Sequence, residues 1–557
     1  MSMNYRNRSV NAHDFAMIPR AEIPRSSFKM EKGFKTTFDA GYLVPFHLQE
    51  VLPGDSISLT AACFARMATP LYPIMDNLHL DTFWFFVPNR LVWTNWVKFQ
   101  GEQDNPGDSI SYTVPQQVSP AAGYAVNSLQ DYFGLPTVGT PAITAAYSHS
   151  ALPLRGYNLI WNQWFRDENL QNSVTVDKGD GPDTIANYVL LRRGKRHDYF
   201  TSCLPWPQKG NTAVSLPLGS SAPVFGNGLG LALSDGTNTT AASTNSTSPF
   251  FVKGAGTLGG AVGAVGNTAA NFNSTVIIGA ATKAQLGANP SYSGLYADLS
   301  SATAATINQI RQAFQTQRLL ERDARGGTRY TEILRAHFGV VSPDARLQRP
   351  EYLGGNSVPI QTRAIAQTSA AGLTGGSTPL AQLGAVAQVV AKTGFSQSFV
   401  EHGYVFGLLS VRADLTYQQG LARHWSRLTR YDFYMPVFAM LGEQAVLNKE
   451  IYCDGSANDA NVFGYQERWA EYRYMPSQIT GLFRSTASGT LDGWHLAQKF
   501  ASLPSLNTTF IQDTPPLDRV LAVASQTGKQ FLCDCFISER AARPLPMYSV
   551  PGLIDHF

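Results

Sequence analysis

The chain has 557 residues, too many for one ordinary hydrophobic core, so it must hold several domains or one domain with long insertions. Hydrophobic residues make up 44% and charged residues only 15%, with 23 Tyr, 9 Trp and 31 Phe; so little charge argues against a freely solvated monomer and fits a surface covered by neighbours. A net charge of +3 is too small for the whole chain to be a nucleic-acid binder, so any such role must rest on local patches.

Residues 1–35 form a polar, basic arm. Arg6, Arg8, Arg20, Arg25, Lys29, Lys32 and Lys35 stand against Asp14, Glu22 and Glu31, a larger surplus than that of the entire chain. Two readings fit: an arm that touches phosphates or a neighbouring subunit, or a solvated terminus. The first residues lack the apolar stretch of a signal peptide, and no run of 18 apolar residues exists to span a membrane.

From 33 to 88 the pattern alternates as strands do. Ile57, Leu59, Ala61 and Cys63 share one face, and Leu78, Leu80, Thr82, Trp84 and Phe86 share another. Residues 91–99 and 155–169 read as short aromatic helices; Tyr157, Trp161, Trp164 and Phe165 form a stripe that belongs to a core or an interface. Arg192-Arg193-Gly194-Lys195-Arg196-His197 is the densest positive cluster, followed by Tyr199, Phe200 and Trp206. It reads either as a grip on single-stranded DNA, by phosphate contact and base stacking, or as a subunit-contact loop.

Residues 211–300 differ in composition. They are rich in Gly, Ala, Ser and Thr and carry only Asp235, Lys253, Lys283 and Asp298 as charges. So long a segment is a functional excursion or a disordered one. The next stretch, 301–394, reads as a helical segment and loop. Ile307, Ile310, Phe314 and Leu319/Leu320 follow helical spacing to Gly326-Gly327, a second helix covers 328–338 before Gly339, and 365–394 turns Gly/Ala/Ser-rich. Strand-like runs return from 395 to 557, in YVFGLLSVRADL, NVFGYQERWAEYRY and KQFLCDCFI. The five cysteines are too scattered for a disulfide framework, and Cys533 and Cys535 read as core residues on one strand face. With 80 Gly and Pro (48 and 32) punctuating short segments, the chain reads as β-rich.

Catalytic motifs are missing. There is no HExxH, no GxSxG, and no GxGxxG after a strand. GAVAQVVAKT (384–393) imitates a phosphate loop but places Ala391 where glycine is required. Carboxylate pairs such as Asp167/Glu168 or Glu321/Asp323 could serve a glycosidase, but they read as helix-surface charge. No enzyme activity, cofactor or metal is expected.

Several long strings resemble the major capsid proteins of microviruses: LRRGKRHDYFTSCLPWPQKG (191–210), the stretch from Ile307 to Gly355, YDFYMPVFAMLGEQAVLNKEIY (431–452), FGYQERWAEYRYMPSQITGLFR (463–484), WHLAQKF (494–500) and the terminal PGLIDHF (551–557). The long insertion resembles the gokushovirus branch. The resemblance implies a mainly β fold, an eight-stranded antiparallel jelly roll with long inserted loops and a few short helices, carried by 36–210 and 395–557. It implies sixty copies in a T=1 icosahedral shell around circular single-stranded DNA, inside a virion assembled in the host bacterial cytoplasm. Implied partners are an internal scaffolding protein, a DNA pilot protein, a small basic packaging protein and a host cell-surface receptor. Sixty chains at +3 carry about 180 charges against thousands of phosphates, so a separate basic partner or counterions must neutralise the genome. Candidate DNA or inner-surface contacts are Arg6, Arg8, Arg192, Arg193, Lys195 and Arg196. Candidate host contacts, in an insertion expected as a three-fold protrusion, are Phe225, Leu229, Asn238, Phe250, Phe251 and Phe272.

Overall fold

A computed structural model describes residues 24–138, 145–210, 307–366, 383–523 and 528–548, with short strand pieces at 224–226, 233–234, 239–240 and 295–297. The chain divides into two compact units, Met1–Lys209 with Glu321–Phe557, and Gly210–Leu320.

Eight strands organise the larger unit: β1 (Ser26–Phe38), β2 (Val44–Val51), β3 (Ser56–Met67), β4 (Leu78–Pro88), β5 (Glu351–Ala366), β6 (Leu383–Ser398), β7 (Gly403–Ala413) and β8 (Phe531–Arg543). They pair as a long hairpin wound on itself: β1 with β8, β2 with β7, β3 with β6 and β4 with β5, all antiparallel. Pairings of β8 with β3, β7 with β4 and β5 with β6 complete the order β1-β8-β3-β6-β5-β4-β7-β2. This is the jelly-roll arrangement, and it leaves only β1 and β2 as edges. The β1 edge carries Lys29, Glu31, Lys32 and Lys35, charges that discourage pairing with stray strands. The basic segment expected as an arm over 1–35 is therefore sheet from Ser26 onward.

Strict alternation builds the core. On β3, Ile57, Leu59, Ala61, Cys63, Ala65 and Met67 point inward; on β8, Phe531, Cys533, Cys535 and Ile537 meet them. Cys535 lies directly opposite Cys63, and all five cysteines are free. Trp84 fills the middle: it lies edge-on to Phe46 (5.1 Å) and donates its indole N–H to Thr393 Oγ1 (3.0 Å).

The stretch 365–394, expected as loop, is instead the end of β5 and, from Leu383, nearly all of β6; residues 367–382 fall outside the described residues. Small side chains are what the packing needs there. Ala385, Ala387 and Ala391 point into the core, and a Cβ on Gly394 would come within 2.1 Å of the Leu59 carbonyl oxygen. β5 passes from one sheet to the other, pairing with β4 through Ile360 and with β6 from Gln361 on.

The outer face of β4 and β7 is buried as well. Helix α1 (Leu152–Ile160), continued by a π turn at Trp161–Phe165, packs Tyr157, Ile160 and Trp161 against Phe85, Val87, Phe406 and Leu408. This places the expected aromatic stripe in a core. Helices α2 (Ile307–Gly326) and α3 (Tyr330–Phe338) follow, α3 ending at Gly339 with φ of +68°. A third apolar cluster forms around the hairpin Glu443–Leu447 and Val462–Glu467, from Tyr199, Phe200, Val446, Ile451, Phe463 and Phe510. In the smaller unit, Val224–Gly226 pairs with Leu295–Ala297, and Leu233–Ser234 with Thr239–Thr240.

Candidate nucleic-acid interface

The 192–196 run is a strap, threaded between two other segments. Arg193 donates its backbone N–H to Gly41 O (2.9 Å) and accepts from Asp513 N (2.9 Å), and Lys195 donates to Ile511 O (2.8 Å). The Arg192 guanidinium stacks 3.9 Å over the Tyr42 ring and donates to the carbonyls of Ala40 and Asp513. Lys195 is buried with its ammonium 4.4 Å over Phe510, and burial lowers its pKa to about 8. Burial also raises the Asp513 carboxyl to about 7, against the pull of Arg193, Lys195 and Arg192. Arg193 donates to Asp81 (2.6 Å), which Arg412 on β7 also approaches at 3.0 Å. Only Arg196 is open, with 60% of its side chain exposed and Asp414 at 3.3 Å.

Arg193, Lys195 and Arg196 line a cavity of about 1230 Å³ in the larger unit. Nine lysine and arginine side chains line it against four carboxylates. The other cations are Arg166, Arg325, Arg329, Arg335, Arg412 and Arg473. Arg325 closes α2 and bonds Glu443, Gln466 Oε1 (3.1 Å) and Ser202 O (3.3 Å). Arg329 precedes α3 and donates to the carbonyls of Asn162 (3.0 Å) and Arg166 (2.8 Å) while pairing with Glu168 and Glu332. Several of these charges thus hold the wall together, whereas Arg196, Arg335 and Arg473 are exposed. Guanidinium groups in such a concave, water-accessible wall suit phosphate oxygens.

The other expected residues lie elsewhere. Arg6, Arg8, Leu229, Asn238, Phe250, Phe251 and Phe272 fall outside the described residues; Phe225 sits in the Val224–Gly226 strand, opposite Tyr296. Tyr199 and Phe200, read as a stacking surface for bases, are buried in the third cluster, with the Tyr199 hydroxyl donating to Glu450 (2.9 Å). Asp167 is spent on the backbone N–H groups of Asn169 and Leu170. Among the described residues no cluster of three His, Cys, Asp or Glu has metal-holding geometry, and no helix is long and apolar enough to cross a membrane. Ala391, the mismatch in the phosphate-loop imitation, lies inward on β6 opposite Cys63.

Residues 16–553 match the family described as Capsid protein (F protein). The chain belongs to this family. It is 47% identical to capsid protein VP1 of Bdellovibrio phage phiMH2K over 552 residues, covering 98% of this chain and 99% of that one. It is 46% identical to capsid protein VP1 of Chlamydia phage 1 and 35% identical to that of Spiroplasma virus 4, each covering 98% of both chains. The capsid chain is thus a structural protein of a Microviridae virion.

Proposed function

We propose that this capsid chain is the major shell subunit of a small phage, self-assembling as sixty copies into a T=1 icosahedral shell around circular single-stranded DNA. The cavity rimmed by arginines from five separate chain segments is the observation that carries the DNA part of the reading. Arg196 and Arg335 meet phosphates there, Arg6 and Arg8 extend the contact, Arg193 and Lys195 fix the wall, and Arg192 anchors the same strap on Tyr42. Such contacts are independent of base sequence, as a shell around a whole genome requires.

The insertion at 211–300 is the host-contact element in this reading, with Phe225, Leu229, Asn238, Phe250, Phe251 and Phe272 as candidate contacts. Three copies around a three-fold axis add weak contacts to a surface receptor by avidity. Assembly takes place in the bacterial cytoplasm with an internal scaffolding protein, a DNA pilot protein and a small basic packaging protein.

Electron microscopy of purified particles tests the shell: closed particles of sixty-fold stoichiometry holding nuclease-protected single-stranded DNA are expected, and a solitary subunit in the presence of the assembly factors would refute it. Deleting 211–300 should leave particles that no longer adsorb; normal adsorption would refute the host-contact role.

A further inference from the structure

Residues 423–441, between β7 and the hairpin, spend their apolar side chains on the surface. Leu428 is 92% exposed, Val437 88% and Met440 93%, and Trp425, Tyr431, Phe433, Tyr434 and Leu441 are exposed beside them. Together these eight side chains present on the order of 1,000 Å². That is close to the roughly 800 Å² that one partner gives to a stable interface.

The segment is not a slack loop. The Asp432 carboxylate accepts from the backbone N–H groups of Leu428 (2.9 Å) and Thr429 (2.7 Å). The Trp469 indole donates to Phe438 O (2.9 Å), and Tyr434 packs edge-on against that indole. Arg427 stacks over both Phe433 and Tyr472 and reaches Glu471. The platform is therefore built before anything binds it, so little ordering entropy is lost on docking.

We propose that this platform docks onto a second copy of the same chain, an inference that rests on the shell reading above. Its composition is that of an interface centre: Arg, Trp, Tyr, Phe and Met, with no Lys or Glu between 423 and 441. Nucleic acid is the weaker fit: Arg423 and Arg427 are already committed to Glu450 and Glu471, and the exposed Arg430 stands two residues from Asp432. Every subunit carries one such patch, and a sibling copy is the partner whose numbers always suffice to cover it.

The test is the triple variant Leu428→Asp, Val437→Asp and Met440→Asp, alongside the unaltered chain, both co-expressed with the phage's assembly factors. All three positions are solvent-facing, so the variant subunit should keep its circular dichroism and melting temperature. It should yield at least tenfold fewer closed particles by sedimentation and electron microscopy. Equal particle yield from variant and unaltered chain would overturn this inference and leave the shell reading intact; no particles from the unaltered chain would overturn the shell reading itself. Met440→Cys carrying a photo-crosslinker decides the occupant in purified particles. Adducts between copies of this chain are expected, and adducts solely to another virion protein would overturn the choice of a sibling.

Discussion

Arg155 and Asp183 form an ion pair with neither side chain reaching solvent. The guanidinium grips both carboxylate oxygens and donates to the carbonyls of Val92 (3.0 Å) and Gly179 (2.9 Å), while the Tyr188 hydroxyl bonds the same carboxylate. It ties α1 to loops 92–95 and 179–188, which cover the outer face of the sheet. Breaking one side strands a buried charge, a loss of about 3–5 kcal/mol, whereas replacing both partners with apolar groups is often close to neutral. Arg155→Met should lower stability by that amount in urea unfolding of the unassembled chain. Arg155→Met with Asp183→Leu should recover part of it, because the stranded charge goes while the carbonyls of Val92 and Gly179 and the Tyr188 hydroxyl stay short of a partner; equal losses from single and double variants would contradict the pairing.

Trp84 and Thr393 make a narrower test. The indole N–H is fully buried and Thr393 Oγ1 is its acceptor. Thr393→Val keeps the shape and removes the acceptor, so the orphaned donor should cost about 1–3 kcal/mol. Thr393→Ser, which restores an oxygen, should lose less. The two melting curves distinguish a missing hydrogen bond from missing volume.

The strands that sequence made legible are those with large alternating side chains: Ile57 to Cys63, Leu78 to Phe86, the β7 run and the Cys533–Cys535 strand. β6 escaped because its inward positions are Ala385, Ala387 and Ala391, and such small residues read as loop until their neighbours are known. The basic run 192–196 read as one surface patch because its charges are adjacent in sequence. Tyr42, Asp81, Asp513 and Phe510, which absorb three of those charges, come from distant segments. The cavity's other arginines were equally invisible, since 325, 412 and 473 meet only in three dimensions. Family resemblance supplied the jelly roll, and the pairing of β1 with β8 through β4 with β5 is its physical content.

His47 makes the fold sensitive to acid. It is buried with its ring 5.6 Å from Trp84, and desolvation lowers its pKa to about 4. Between its ordinary value near 6.5 and that lowered value, the unfolded chain takes up a proton that the folded chain refuses. Stability is therefore intact above about pH 6.5 and falls as the pH drops toward 4, by up to about 3 kcal/mol. Asp513, raised to about 7, acts in the opposite sense: its folded form holds the extra proton, so its contribution weakens stability as the pH rises from about 4 toward 7. The difference between variants isolates each group. His47→Gln should flatten the acid side of the stability profile, and Asp513→Asn should reduce the decline that sets in as the pH rises toward neutrality.

Arg196 and Arg192 separate binding from folding within a single run of sequence. Arg196 is open at the cavity rim, so Arg196→Ala should leave the melting temperature within a degree or two and weaken single-stranded DNA binding uniformly across sequences. Each phosphate left without its cation should reduce the slope of log affinity against log salt by about 0.7, and Arg335→Ala should act likewise. Arg192 is stacked on Tyr42 and bonded to two carbonyls, so Arg192→Ala removes packing and leaves the Ala40 and Asp513 oxygens short of a donor. It should lower stability by about 1–3 kcal/mol and leave the salt slope of the folded fraction unchanged. Fluorescence titrations of a labelled oligonucleotide at several salt concentrations, with thermal melts of the same preparations, read both quantities. A salt slope unmoved by Arg196→Ala together with Arg335→Ala would take the cavity out of DNA binding.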